Sequence, residues 1–249
     1  IEVRGDEGDF NDIDTSNIKD MESLFKHNET FNGNITGWNV SSVRYMNSMF
    51  WDATSFNQPI GNWDVSSVID MNCMFYDATS FNQPIGDWKF PKVEKMNSMF
   101  CNAISFNQPI GNWKFPKVEN MKCMFWGASS FNQDISKWKF PNVKSMDDMF
   151  SYATSFTQHT SKWKFKNVKR MNNMFSNATG ISTDRISVLA YNVPYFYDTP
   201  KTSILNRASF WIQIALAVAI LGILVVVVLR SARPLTVEEK EPELSVEEM

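Results

Sequence analysis

Apolar residues recur along this chain every 25 positions. Tryptophans stand at 38, 63, 88, 113, 138 and 163, and phenylalanines at 25, 50, 75, 100, 125, 150 and 175. A second phenylalanine column runs through 31, 56, 81, 106, 131 and 156, and thirteen of the fourteen methionines fill two more, Met21 to Met171 and Met49 to Met174. The unit reads W-x-[VF]-x-x-V-x-x-M-x-x-M-F-x-x-A-x-S-F-N-x-x-I, preceded by a partial copy, IDTSNIKDMESLF, expected to act as a cap. No unit this short buries its own apolar face, so the pattern predicts repeats that stack and share one core.

Within a unit, Val43, Met46, Met49, Phe50 and Ala53 have the spacing of one face of a helix of about three turns. Pro91, Pro116 and Pro141 stand two residues before the Val of that pattern, where proline suits a first helical turn. Trp88-Lys89-Phe90 alternates apolar, polar, apolar, the period of a short strand with one buried side. The expected fold is therefore an α/β repeat solenoid, one short strand and one short helix per unit, with strands in parallel at about 4.8 Å per rung. A column of asparagines, 32, 57, 82, 107 and 132, falls in the turn after the second Phe, where a side-chain amide in register can bond the backbone of the neighbouring turn. It breaks at Thr157, so the last rung is expected to be the loosest.

Composition divides the chain further. FWIQIALAVAILGILVVVVL, residues 210–229, carries no charge, and about 20 apolar residues suffice to span a bilayer as a helix. The segment from Arg230 to Met249 is short, polar and acidic, too poor in apolar residues to fold. The organisation read from the sequence is an N-terminal cap at 1–13, the repeat array at 14–180, a C-terminal cap and stalk at 181–208, a transmembrane helix at 209–229 and a disordered tail at 230–249. Arg230, Arg233 and Lys240 outnumber Lys201 and Arg207 across the apolar stretch. That asymmetry predicts a single-pass protein with a cytoplasmic tail and an extracellular or lumenal solenoid. A start at Ile1 with no apolar N-terminal run is compatible with a signal peptide already removed. Four N-x-S/T sequons occur, at Asn28, Asn34, Asn39 and Asn177, but the Asn, Ser and Thr content alone predicts roughly that many.

The string FNQPIGNWDVSSVIDMNCMFYDATSFNQPIGDW closely resembles the repeat of the BspA-like leucine-rich-repeat surface proteins, first recognised in mycoplasma-type surface lipoproteins of unknown function. The resemblance covers about residues 10 to 180. It implies a right-handed leucine-rich-repeat-like solenoid displayed at a surface, with a binding or adhesion role, and it carries over no catalytic residue. Leucine is nearly absent from the repeats, its place being taken by Met, Phe, Val and Trp.

The net charge of −3 conceals a polarised molecule. Residues 1–87 hold 14 acidic and 4 basic side chains, whereas residues 88–208 hold 7 and 17. The position after each Trp reads Asn39, Asp64, Lys89, Lys114, Lys139, Lys164, and the position before it Gly37, Asn62, Asp87, Asn112, Lys137, Lys162. Neighbouring ammoniums about 5 Å apart repel by a little under 1 kcal/mol in water, so nothing local favours these columns. An anionic ligand would, and Lys89, Lys114, Lys139, Lys164, Lys137 and Lys162 are the candidate ligand-binding residues. Solubilisation and protection of a sheet edge are the competing explanation. The expected partner is an anionic polysaccharide or a protein, besides the lipid bilayer at 209–229. Nucleic acid is disfavoured, since no aromatic stacking positions accompany the lysines. The alternative function is a non-catalytic scaffold subunit of a membrane-associated assembly, with head-to-tail self-association between the acidic and basic halves.

Catalysis has little support, and neither a cofactor nor a metal site is expected. His27 and His159 lie on distant repeats, and phosphate-loop, metal-ligand and nucleophile motifs are lacking. Asp147-Asp148 reads as a solvated helix surface, and Arg4-Gly5-Asp6 matches an integrin-read tripeptide only in three residues near a terminus. Cys73 and Cys123 are two rungs apart, about 10 Å, beyond disulfide reach, and Cys101 is poorly placed for either, so three free thiols are expected.

Overall fold

A computed structural model describes residues 5–181, all of which belong to one compact unit of the chain. Seven 25-residue rungs succeed one another from residue 5 to residue 179, and each lies in register on the next. Parallel bridges join Asp20 to Tyr45, Tyr45 to Asp70, Asp70 to Lys95, Lys95 to Asn120, Asn120 to Ser145 and Ser145 to Arg170, each spanning one repeat. The apolar columns form the core between them. Val43, Met46, Met49, Phe50 and Ala53 are all fully buried, and their counterparts in the later rungs are buried as well.

The local elements differ from those expected. Among the described residues there is no helix, and the β-pairing consists of single-residue bridges. Where a helix was expected, the backbone turns left-handed twice per rung, at Ser48 and Asp52, Cys73 and Asp77, Ser98 and Asn102, and so on along the stack. A φ of +58° at Ser48 ends any helix there, because right-handed helical geometry needs negative φ at every residue. The chain instead runs as linked turns: Met46 accepts from the amide of Met49, Ser48 from that of Trp51, and Phe50 from that of Ala53. Positive φ at the third residue of the first and last of these is the type II arrangement, for which Asn, Asp and Gly are suited. Linked four-residue turns return side chains to one side at intervals of 3 and 4, so they imitate the burial pattern of a helix.

Amides left over by the turns bond across rungs. Met46, Ser48, Phe50 and Asp52 donate to the carbonyls of Asp70, Asn72, Met74 and Tyr76 at 3.0, 2.8, 2.9 and 2.7 Å. The expected strand is also displaced. Trp88 and Phe90 are buried and Lys89 exposed, as the alternation requires, but the pairing residue is Lys95 rather than any of these three.

Two side-chain ladders reinforce the stack. The Oδ1 atoms of Asn32, Asn57, Asn82 and Asn107 accept the amides of Asn57, Asn82, Asn107 and Asn132 at 2.9 to 3.0 Å, which bears out the asparagine reading. Thr157 still donates its amide to Asn132, so the break in the column removes an acceptor only for the rung beyond. Each core tryptophan from Trp63 to Trp163 donates its indole N–H to an isoleucine carbonyl 28 residues earlier, at 3.0 to 3.4 Å. The apolar stretch at 209–229 and the tail beyond it lie outside the described residues, as does nearly all of the stalk.

Candidate functional site

All six candidate lysines are exposed. Each flanks a tryptophan whose ring enters the core, so Lys89, Lys114, Lys139 and Lys164 project as one column and Lys137 and Lys162 as the start of a second. Ring spacings measure the rise from rung to rung on each side of the stack, since equivalent rings are nearly parallel. Along the hydrogen-bonded turns the rise is 5.4 to 5.6 Å between successive Phe50-column rings. Beside the lysines it is 6.3 Å between Phe90 and Phe115 and 6.4 Å between Trp113 and Trp138. The stack is therefore wider on the lysine side, which brings the repulsion between backbone-level neighbours to about 0.7 kcal/mol in water.

A cleft of about 480 Å³ opens on this side, and Lys114, Lys137 and Lys139 line it together with Pro116 and Pro141. The structure thus brings three of the six candidates to one concavity across adjacent rungs. Lys89, Lys162 and Lys164 continue the same columns on the rungs before and after. Asp134 is close to this group: hydrogen bonds from Ser136 hold its carboxyl below the usual range, and Lys137 and Lys162 add to that.

Charge pairing takes place elsewhere. Lys95 meets Asp70 at 3.0 Å and Lys144 meets Glu119 at 2.7 Å, each one rung apart on the hydrogen-bonded side. Asp147 takes Arg170 at 2.6 Å and Lys122 at 3.6 Å while accepting the Asn172 amide. With 4% of its surface exposed, Asp147 is not the solvated residue its sequence context suggested. Because the segment is turns rather than helix, its side chain lies along the ladder and satisfies the next rung. Among the described residues none of the six candidate lysines forms an ion pair.

The remaining candidates are structural. Cys73, Cys101 and Cys123 are free, as expected. Burial pushes all three thiols up, Cys101 to about 12, so they are poor nucleophiles. Asp6 is bonded by Thr30 and Asn28, which ties the first rung to the second and leaves its carboxylate committed; Arg4 lies outside the described residues. His27 pairs with Asp52 at 3.1 Å on the first two rungs, and His159 is exposed on the seventh. Among the described residues no cluster of three or more His, Cys, Asp or Glu is arranged to hold a metal ion.

Sequence reasoning missed a second polar ladder. Gln58, Gln108, Gln133 and Gln158 each donate to the carbonyl and the Oδ1 of the asparagine 26 residues earlier. The repeated F-N-Q triplet was the available signal. An outward aromatic column was missed as well: Lys26 sits 4.2 Å from the centroid of Trp51, and Trp51 lies 4.7 Å from Tyr76.

No curated protein and no solved structure matches the chain. One family model matches it twice, over residues 3–103 and 85–188, and these spans together take in every rung. With its repeats so matched, the chain belongs to the family described as Mycoplasma protein of unknown function, DUF285.

Proposed function

We propose that this chain is a membrane-anchored surface binding or adhesion module whose exposed lysine columns take an anionic polysaccharide or an acidic protein surface. In this reading the stacked rungs are a right-handed solenoid of the BspA-like leucine-rich-repeat kind, held outside the cytoplasm by the apolar segment at 209–229. One observation carries the ligand side of the proposal. Six lysines stand exposed in register and none of them forms an ion pair among the described residues, whereas Lys95, Lys122, Lys144 and Arg170 are each paired to a carboxylate one rung away. Lysines serving only solubility have no reason to converge on a cleft. Those at 114, 137 and 139 do, over a floor that includes two prolines. A run of cations repeating every ~6 Å suits a polymer with regularly spaced sulfate or carboxylate groups, which engages several rungs at once.

The test uses the full chain in mild detergent and two polysaccharides that share a backbone, one sulfated and one neutral. Binding to the sulfated polymer is expected to fall at least tenfold in Lys114→Glu and in Lys139→Glu, and to weaken with salt. Equal binding of the neutral polymer, or indifference to both substitutions, would sink the proposal.

A further inference from the structure

Four large aromatic side chains in the turns of the hydrogen-bonded side stay out of the core. Trp51, Tyr76 and Trp126 are half-buried, and Tyr152 is 46% exposed. They form two pairs, Trp51 with Tyr76 at 4.7 Å on the second and third rungs and Trp126 with Tyr152 at 5.2 Å on the fifth and sixth. Rings of the buried Phe50 column lie within 13° of parallel, whereas these pairs are tilted by 36° and 59°. Neither pair closes into a stack, and ring surface stays open to solvent. The position of Trp51 is held by Cys101, Ser151 and Ser176 on other rungs, so stacking of the repeats does not require an aromatic there.

The surroundings of these rings carry almost no positive charge. At the positions of Ser48, Trp51, Asp52, Thr54 and Ser55 no later repeat has a Lys or Arg, although residues 88–208 hold 17 basic side chains. Ser, Thr and Asn fill most of them, with carboxylates at Asp52, Asp77 and Asp148. An anionic polymer finds no counter-charge here. Asp52 is already bonded to His27 at 3.1 Å. Burial holds the Asp77 carboxyl above its ordinary value, and it forms no ion pair among the described residues. The face therefore offers apolar ring surface beside polar donors and acceptors. A pyranose ring is the complement, since its C–H face is apolar and its edge carries hydroxyls. The rise of 5.4 to 5.6 Å per rung on this side is close to the advance of one unit in an extended β-1,4-linked glycan. Chains linked α-1,4 coil and advance less per unit.

From these features we infer that the turn face is a second binding site, for an uncharged β-1,4-linked polysaccharide running along the stack. One sugar unit falls on each rung. Units over Trp51 and Tyr76, and over Trp126 and Tyr152, rest on the rings, while Asp52, Asp77 and Asn102 bond their hydroxyls. A chain that crosses from the second rung to the sixth engages both aromatic platforms at once and gains affinity over a shorter one. This face shares no residue with the lysine columns and does not depend on their ligand.

The test uses the full chain in a polyoxyethylene detergent, which carries no sugar. The probes are the β-1,4-linked hexamers of glucose, mannose and N-acetylglucosamine, the α-1,4-linked hexamer of glucose, and hexalysine. At least one β-linked hexamer is expected to bind saturably and without dependence on salt, at least tenfold more tightly than its own disaccharide and than the α-linked hexamer. Trp51→Ala and Trp126→Ala should each weaken that binding at least tenfold. Tyr45→Ala, at an aromatic 41% exposed in the bridge column, and Lys114→Glu should leave it unchanged. In the unsubstituted chain the bound hexamer should protect Trp51 and Trp126 from oxidation by N-bromosuccinimide, read by mass spectrometry of the derived peptides. Failure of all three β-linked hexamers to bind, or binding that leaves Trp51 and Trp126 as reactive as before, would overturn the inference. So would a loss in Lys114→Glu, which returns the sugar to the lysine cleft, or binding of hexalysine in place of the sugars, which assigns the face to a basic partner.

Discussion

Thirteen non-glycine residues among those described hold positive φ, and they fall in two columns four residues apart. Asn and Asp occupy many of these places because they tolerate the left-handed region, whereas Ser, Cys, His and Tyr occupy others at some cost in strain. Gly127 takes such a place with φ +67°, and a Cβ there would overlap Asn102 Oδ1. In a helix, Gly127→Ala would stabilise the protein by about 1 kcal/mol. In this turn it is expected to destabilise by about 1 to 2 kcal/mol, read from the denaturation midpoint. Asp77 occupies another left-handed position, and burial raises its carboxyl above the ordinary 3.8 despite a hydrogen bond with Asn102. A raised folded-state value means that the ionised form is disfavoured on folding. The contribution of Asp77 to stability is therefore greatest below the ordinary value and is lost as pH rises through the folded one. Asn tolerates the same backbone without the charge. Asp77→Asn is expected to raise the thermal midpoint at pH 7, and the gain should shrink towards about pH 3. A gain that grows on acidification would contradict the assigned cause.

At the scale of one rung, the ladders depend on each side chain matching its counterparts one repeat away. The column Ile35, Ile60, Ile85, Ile110 and Ile135 is fully buried, and its next member is Thr160, 1% exposed, whose Oγ1 has no partner among the described residues. Thr160→Ile replaces an unsatisfied buried hydroxyl by the residue used in the five rungs before it, and should stabilise by about 1 kcal/mol in chemical denaturation. An unchanged or lower midpoint would show that the hydroxyl is satisfied. Much of this was legible in the sequence. The burial of Val43, Met46, Met49, Phe50 and Ala53, the register of 25 and the asparagine ladder follow from column identity alone. The turns were not legible as turns, because spacings of 3 and 4 occur in helices too, and only Asn, Asp and Gly at the left-handed columns distinguished the two. Likewise the Trp-Lys-Phe alternation reported which side chains are buried. It carried no information on which backbone groups pair, since that is decided by the neighbouring rung.

Across the seven described rungs, spacing and charge vary together. The hydrogen-bonded side is the tighter one and carries the ion pairs of Lys95, Lys122, Lys144 and Arg170, whereas the six candidate lysines stand on the wider side. Sequence columns were sufficient to pick out those lysines, since their exposure comes from flanking a buried tryptophan. The cleft at Lys114, Lys137 and Lys139 was not legible, because it depends on how two proline-containing segments sit across adjacent rungs. Burial of Asp147 was missed for a related reason: its partners Lys122 and Arg170 lie on the rungs to either side, 25 and 23 residues away. In the proposed function an anionic polymer engages the lysine side, and not merely any cluster of positive charge. Two triple variants of equal charge separate these possibilities, Lys89→Gln with Lys114→Gln and Lys139→Gln on the lysine side, and Lys95→Gln with Lys144→Gln and Lys169→Gln on the other. The direct measurement is the affinity of each full chain for the same sulfated polysaccharide at a series of salt concentrations. A loss of at least tenfold and a shallower salt dependence are expected in the first variant only. Equal losses in both would contradict the account.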